Sequence, residues 1–212
     1  VKIESDRSHA YEPGSLEENG LLGDPVAQLR AWIDDAYAAG VGEPNAMCLA
    51  TADAAGRPSG RIVLLRGLDE RGLAFYSSYL SRKAREISEN PRAAATFFWP
   101  QLSRQVRVEG EIAQLPEDES EAYFASRPRG HQLSAWASEQ SEPVDARTTL
   151  EARLEHFDQR FEGETVPRPH SWGGYVIAPD RFEFWSGRPN RLHDRHEFRL
   201  EGRTWTVRRL QP

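Results

Sequence analysis

Cysteine, lysine and long apolar runs are scarce in this chain. Cys48 is the one cysteine, which excludes an intramolecular disulfide and leaves no cysteine partner for a zinc site. The apolar runs fall far short of the about 18 residues that a membrane helix needs. No basic-then-apolar segment opens the sequence, so a cytoplasmic protein without a membrane partner is expected. The formal charge of −6 argues against a dedicated nucleic-acid binder. Common catalytic signatures are missing as well. There is no G-x-G-x-x-G after a strand, no Walker loop, no H-E-x-x-H and no G-x-S-x-G elbow. His193 and His196 lie three apart, but no third ligand is evident, so no metal is expected.

What is present fits a globular chain. It has 212 residues, 38% of them hydrophobic, with six Trp, six Tyr and nine Phe, too many aromatics for a disordered segment. Of its 27 basic residues only Lys2 and Lys83 are lysine. Codon composition explains such an arginine excess, and so does a need for planar forks that grip carboxylates or phosphates. The positions of the arginines decide between the two.

Residues 1–23 are polar, contain Pro13, Gly14, Gly20 and Gly23, and read as an extended, mobile arm. Asp24 and Pro25 then open a helix with Val26, Leu29, Trp32, Ile33 and Ala36 on one face and Gly40 as its stop. From Ala46 the period changes to that of strands. Residues 46–53, 61–68, 73–79, 93–99 and 105–115 read as strands joined by tight turns, hence antiparallel. Ser81 is expected to cap a short helix over 82–89. Helices are expected over 117–126, 132–138 and 143–162, then strands over 175–177, 182–185, 197–200 and 204–208. The pattern predicts one α+β domain over 24–212, an antiparallel sheet closed as a barrel with helices around it.

Three basic clusters stand beside these elements. Arg61 and Arg66 bracket an apolar run, and Arg82 and Lys83 occupy the first turn of a helix, where the dipole favours anions. Cations there are either solvated surface residues or helpers in anion binding. Tyr123 and Arg127 share a face if their helix extends far enough, with Arg129 and His131 following. Arg191, His193 and Arg195 face one way if they lie on a strand, with Asp194 pointing away.

The stretches Arg61-Ile62-Val63-Leu64-Leu65-Arg66, Tyr76-Ser77, Ser81-Arg82-Lys83, Arg104-Gln105-Val106, Tyr123-Phe124, Ser126-Arg127-Pro128-Arg129, Gln140-Ser141, Phe184-Trp185 and Arg191-Leu192-His193-Asp194-Arg195 together resemble the pyridoxine/pyridoxamine 5′-phosphate oxidases. The terminal Arg209-Leu210-Gln211-Pro212 fits too, and the likeness covers about residues 24–212. It implies a split-barrel homodimer with FMN at the subunit interface. FMN ligands then map onto residues 61–66, Tyr76, Ser77, Arg82, Lys83, Gln105, Gln140, Ser141, Trp185 and Arg195. Substrate contacts map onto Arg66, Tyr123, Arg127 and His131 around a phosphate, and onto Arg191 and His193 beside the pyridine ring as catalytic residues. Tyr11 keeps the spacing of a residue that closes over substrate.

The chemistry implied is oxidation of pyridoxine 5′-phosphate or pyridoxamine 5′-phosphate to pyridoxal 5′-phosphate. A hydride leaves substrate C4′ for flavin N5, and O2 is the final acceptor and yields H2O2. Three departures stand out: Arg66 where Lys is common, His131 where Ser is common, and Ser8 where a basic residue is expected. Two other readings remain. One is the flavin oxidase of phenazine biosynthesis, with an unphosphorylated tricyclic substrate. The other is a flavin- or haem-binding split-barrel protein without oxidase activity.

Overall fold

The computed structural model describes residues 20–212. Asp24 caps α1 (Pro25–Ala38), its carboxylate accepting from Val26 N–H (3.0 Å) and Ala27 N–H (3.2 Å). Leu29, Trp32, Ile33 and Ala36 are buried along one face, as their spacing predicts. Gly40 follows in the left-handed region (φ +71°) and ends the helix.

The strands are β1 (Ala46–Ala52), β2 (Pro58–Leu64), β3 (Gly67–Asp69), β4 (Gly72–Ser78), β5 (Arg92–Trp99), β6 (Arg104–Gln114), β7 (Trp172–Ser186), β8 (Asp194–Glu201) and β9 (Thr204–Arg209). Every pairing is antiparallel. The order runs β2-β1-β5-β6-β7-β4-β3, and β8 joins β7 with β9 outside it. The remaining helices are α2 (Arg82–Glu89), α3 (Glu117–Ser126), α4 (Arg129–Ala137) and α5 (Arg147–Arg160).

The main core lies between α1 and the curled sheet, where Leu29, Trp32, Met47, Leu49, Phe75, Phe97, Trp99, Phe182 and Phe184 are buried. A second cluster, Phe124, Leu133, Phe161, Val166 and Trp172, lies under α3–α5. No helix of the described residues is long and apolar enough to cross a membrane.

Several expectations need correction. The segment 61–68, expected as one strand, is not one. β2 ends at Leu64, because Leu65 N–H turns to the Asn45 carbonyl (2.8 Å) and Arg66 N–H to that of Ala74 (2.8 Å). The chain changes partner there, from β1 to β4, and continues as β3. The segments 175–177 and 182–185 are one strand, β7, with a register shift opposite Glu109 and Gly110. A Cβ on Gly110 would meet the Ala178 carbonyl oxygen at 2.1 Å, so the bulge needs glycine. The helix expected over 143–162 spans only 147–160, and the one expected from residue 132 begins at Arg129.

Candidate functional site

A cleft of about 780 Å³ opens where β2, β4, α2 and the α3–α4 segment meet. At one end, Ser59 and Arg61 come from the half-buried side of β2, Ser77 from β4, and Arg82 and Lys83 from the start of α2. Lys83 is only 7% exposed, an unusual place for an ammonium group. Its Nζ donates to Gln140 Oε1 (2.6 Å), Ser77 Oγ (2.8 Å) and Ser81 Oγ (3.0 Å). Burial pushes its pKa down to about 8, with the Arg61 charge acting the same way and Glu86 opposing it.

Ser81 does not cap α2 with its side chain. Its hydroxyl donates to the Ser78 carbonyl (2.8 Å) and is taken up by Lys83. The Arg82 N–H donates instead to Ser141 Oγ (3.2 Å), fifty-nine positions along the chain. Ser141 is held in the left-handed region (φ +79°), and Gln140 beside it lines the cleft.

The other end is aromatic and cationic. Tyr76 and Tyr123 stack at 3.7 Å, and Trp172 continues the stack 5.6 Å from Tyr76. The Arg127 guanidinium lies 4.5 Å over the Trp172 ring. α3 spans 117–126 as expected and so does not reach Arg127, which is extended. Stacking on Trp172, rather than a shared helix face, brings Arg127 to the cleft. Buried Arg168 sets this wall, donating to the Trp172 carbonyl (2.6 Å) and to Glu117 at the start of α3 (2.7 Å). Arg66 and His131 complete this end. Arg127 Nη1 is buried and has no hydrogen-bond partner among the described residues. Burial lowers the pKa of Arg127, and the Arg66 charge adds to the fall.

Of the residues expected at the site, the cleft therefore gathers Arg61, Ile62, Val63, Leu64, Arg66, Tyr76, Ser77, Arg82, Lys83, Tyr123, Arg127, His131, Gln140 and Ser141. Leu65 is buried in the core behind it. Tyr11 lies outside the described residues. Gln105, Trp185, Arg191, His193 and Arg195 do not line the cleft. Register places Phe98, Gln105, Trp185 and Arg195 in one row across β5, β6, β7 and β8, so they share a face.

Arg191, His193 and Arg195 do not share a strand, so the condition under which they would face one way is not met. Arg191 sits in a 3-10 turn with φ +60°, following Asn190 at +59°, and β8 begins only at Asp194. Asp194 is mostly buried rather than turned out to solvent, and pairs with Arg188 and Arg209. Arg195 has its own partner, Glu183 (2.8 Å). His193 packs 4.7 Å from Trp185, and its Nδ1 accepts the Arg188 N–H (3.1 Å). Burial, then the Arg191 and Arg195 charges, lower its pKa, so the neutral ring carries its proton on Nε2.

Sequence reasoning missed Ser59, Gly60 and Trp172, and gave no site role to Ser126 and Pro128 although they lie in a stretch it singled out. Strand alternation from Arg61 points to Ser59. Nothing in the local sequence singles out Trp172, because its role depends on the stack.

The donor set suits a flavin phosphate. It joins buried Lys83, Arg82 at a helix start, and the hydroxyls of Ser77 and Ser141. The unpartnered Arg127 nitrogen suits a second phosphate. Residues 33–161 match the family model "Pyridoxamine 5′-phosphate oxidase", and residues 172–212 match "Pyridoxine 5′-phosphate oxidase C-terminal dimerisation region". The chain is 56% identical to the pyridoxine/pyridoxamine 5′-phosphate oxidase of Rubrobacter xylanophilus, covering 95% of this chain and 93% of that one. It is 52% identical to the enzyme of that name from Cupriavidus pinatubonensis, with 98% of each covered. Among solved structures, PhzG of Burkholderia lata, bound to tetrahydrophenazine-1-carboxylic acid, superposes with a TM-score of 0.89 at 30% identity, over 96% of this chain and all of that one. A pyridoxamine 5′-phosphate oxidase-related, FMN-binding protein of Nostoc punctiforme shares the fold, with a TM-score of 0.69 at 18% identity over 86% of this chain and 97% of that one. The expected split barrel is thus the fold observed, and the two cationic ends lie within the matched segments. The chain belongs to the pyridoxine/pyridoxamine 5′-phosphate oxidase family.

Proposed function

We propose that the chain is an FMN-dependent oxidase that converts pyridoxine 5′-phosphate and pyridoxamine 5′-phosphate to pyridoxal 5′-phosphate. One observation carries this reading: a single cleft has two cationic ends, one of them walled by stacked aromatics. Arg61 stands at one end and Arg66 at the other. A cofactor and a substrate, each with one phosphate, need such a pair.

Arg82 and Lys83 hold the flavin phosphate, Ser77 and Ser141 offer hydroxyls to it, and Arg61 adds positive charge. FMN, when bound, supplies the two-electron chemistry that links substrate oxidation to O2. Arg127 donates Nη1–H to the substrate phosphate, while Arg66 supplies a second charge and Tyr123 and His131 further donors. Tyr76, Tyr123 and Trp172 exclude water from that wall.

Arg191 and His193 act beside the pyridine ring from a second copy of the chain. Three observations support a homodimer. The dimerisation-region match contains both residues. Gln105, Trp185 and Arg195 share one face away from the cleft. Phe98, in the same row, is 58% exposed. There the His193 Nε2–H donates toward the ring, and Arg191 covers the ring and assists loss of the C4′ substituent's proton.

A phenazine-type oxidase is the second reading, favoured by the PhzG likeness. That substrate carries no phosphate, and the Arg66–Arg127 end argues against it.

Anaerobic mixing of the flavin-loaded protein with pyridoxamine 5′-phosphate tests the proposal. Visible flavin absorption is expected to bleach, then to recover in air as pyridoxal 5′-phosphate accumulates. A flavin that stays yellow sinks the proposal.

A further inference from the structure

Beside the Arg82–Lys83 end of the cleft, in a neighbouring groove that Arg82 also borders, lies a carboxylate that no step above uses. Glu86, on α2, is 5% exposed. Its Oε2 accepts from Thr51 Oγ1 (2.5 Å), Ser59 Oγ (2.6 Å) and Arg61 Nη2 (3.3 Å), and its Oε1 from Arg82 Nε (2.8 Å). A buried negative charge beside an anion site opposes the anion by simple electrostatics. Its retention calls for a compensating effect, and the hydrogen bonds identify one.

Arg82 gives Glu86 only its Nε–H. Its two terminal nitrogens have no partner among the described residues, and the side chain borders the cleft. The i, i+4 ion pair on α2 anchors the base of that fork, because both residues ride on one helix face. Arg61 is bound differently. Its Nη1 donates to Leu49 O (3.2 Å) and Thr51 Oγ1 (2.5 Å), and its Nη2 to Ser59 Oγ and Glu86. All four terminal N–H groups are thus committed to the protein. Arg61 serves the cleft as a fixed charge and not as a fork.

We infer that Glu86 is a positioning residue, which holds Arg82 with its fork toward the cleft and locks Arg61 behind it, so that the site selects a phosphomonoester dianion. The formal charges agree. Arg61, Arg82 and Lys83 less Glu86 leave two positive charges, matching the nearly −2 of a phosphomonoester at neutral pH. A carboxylate that fixes a fork also spares the entropy of ordering it when the ligand arrives.

The inference rests on the reading that FMN occupies this end, and the experiment separates the two. The full-length protein, stripped of flavin, is titrated with FMN and with riboflavin, which lacks the phosphate, and quenching of flavin fluorescence is followed. The native chain is expected to prefer FMN strongly; no preference overturns the FMN reading itself. Glu86→Gln is expected to bind FMN about tenfold more weakly, the worth of one charge-assisted hydrogen bond, with riboflavin affinity unchanged. Charge and orientation predict opposite signs here. Equal or tighter FMN binding by Glu86→Gln therefore overturns the inference. Equal weakening of both flavins also overturns it, since that marks a merely structural role. If Glu86→Gln does not fold, Ser59→Ala decides. It removes a hydroxyl that joins Arg61 to Glu86, and the FMN-to-riboflavin preference is expected to fall by a smaller factor. An unchanged preference overturns the inference.

Discussion

Lys83 shows how one side chain links stability to ligand binding with opposite signs. Its pKa falls from an ordinary 10.5 to about 8 on folding, chiefly through burial. The folded state therefore binds this proton less tightly than the unfolded chain does. The resulting penalty is complete below pH about 8 and disappears as pH rises toward 10.5. A bound phosphate dianion favours the charged ammonium, so FMN affinity falls over the same rise. We expect the flavin-free protein to gain thermal stability between pH 7 and 9.5 relative to Lys83→Met, while its FMN affinity drops. In Lys83→Met both pH dependences should flatten, as scanning calorimetry and flavin titration would report. The residue types of this end were legible in sequence, because two cations in the first turn of a helix conflict with its dipole. The hydrogen-bond wiring was not, since Gln140 and Ser141 come from a loop that follows a different helix.

Strand periodicity and turn chemistry gave element types and most boundaries. They failed where tertiary pairing overrules a local pattern. The segment from Arg61 to Leu68 carries no strong turn signal, yet it divides because residues 61–64 pair with β1 and residues 67–68 with β4. β7 was read as two strands because Pro179 and Asp180 look like a break, while the bulge opposite Glu109 and Gly110 lets the strand continue. That bulge is testable. Gly110→Ala brings a Cβ to 2.1 Å from a backbone oxygen, where no side-chain rotation gives relief. We expect a loss of about 3 kcal/mol, read from the urea midpoint at an unchanged slope. A shift near zero would show that β6 slides there at little cost.

Across the whole molecule, the sequence indicated most residues of the cleft, though not Trp172, and gave no sign that Gln105, Trp185 and Arg195 lie on a different surface from it. Chain order and periodicity carry no information on which residues a second copy supplies. Phe98 offers a direct check, being an exposed aromatic in register with Gln105. Phe98→Glu places a charge where apolar contact is proposed. It is expected to sediment as a chain of 24.0 kDa rather than twice that, and to lose FMN on gel filtration. A variant that stays dimeric and yellow would move the interface elsewhere.

The pairing of β4 with β7 sets the timing of assembly. Ser78 lies opposite Trp172, and Leu73 opposite Ile177. Nearly a hundred residues separate the partners, and the wall formed by Tyr76 and Trp172 depends on that join. A chain leaving the ribosome can fold its first helix and hairpins early, but it cannot close this join until its last fifth emerges. Such distant pairing makes folding slow. Cofactor capture then belongs to the finished chain, and a nascent polypeptide truncated before Trp172 should have no pocket to fill.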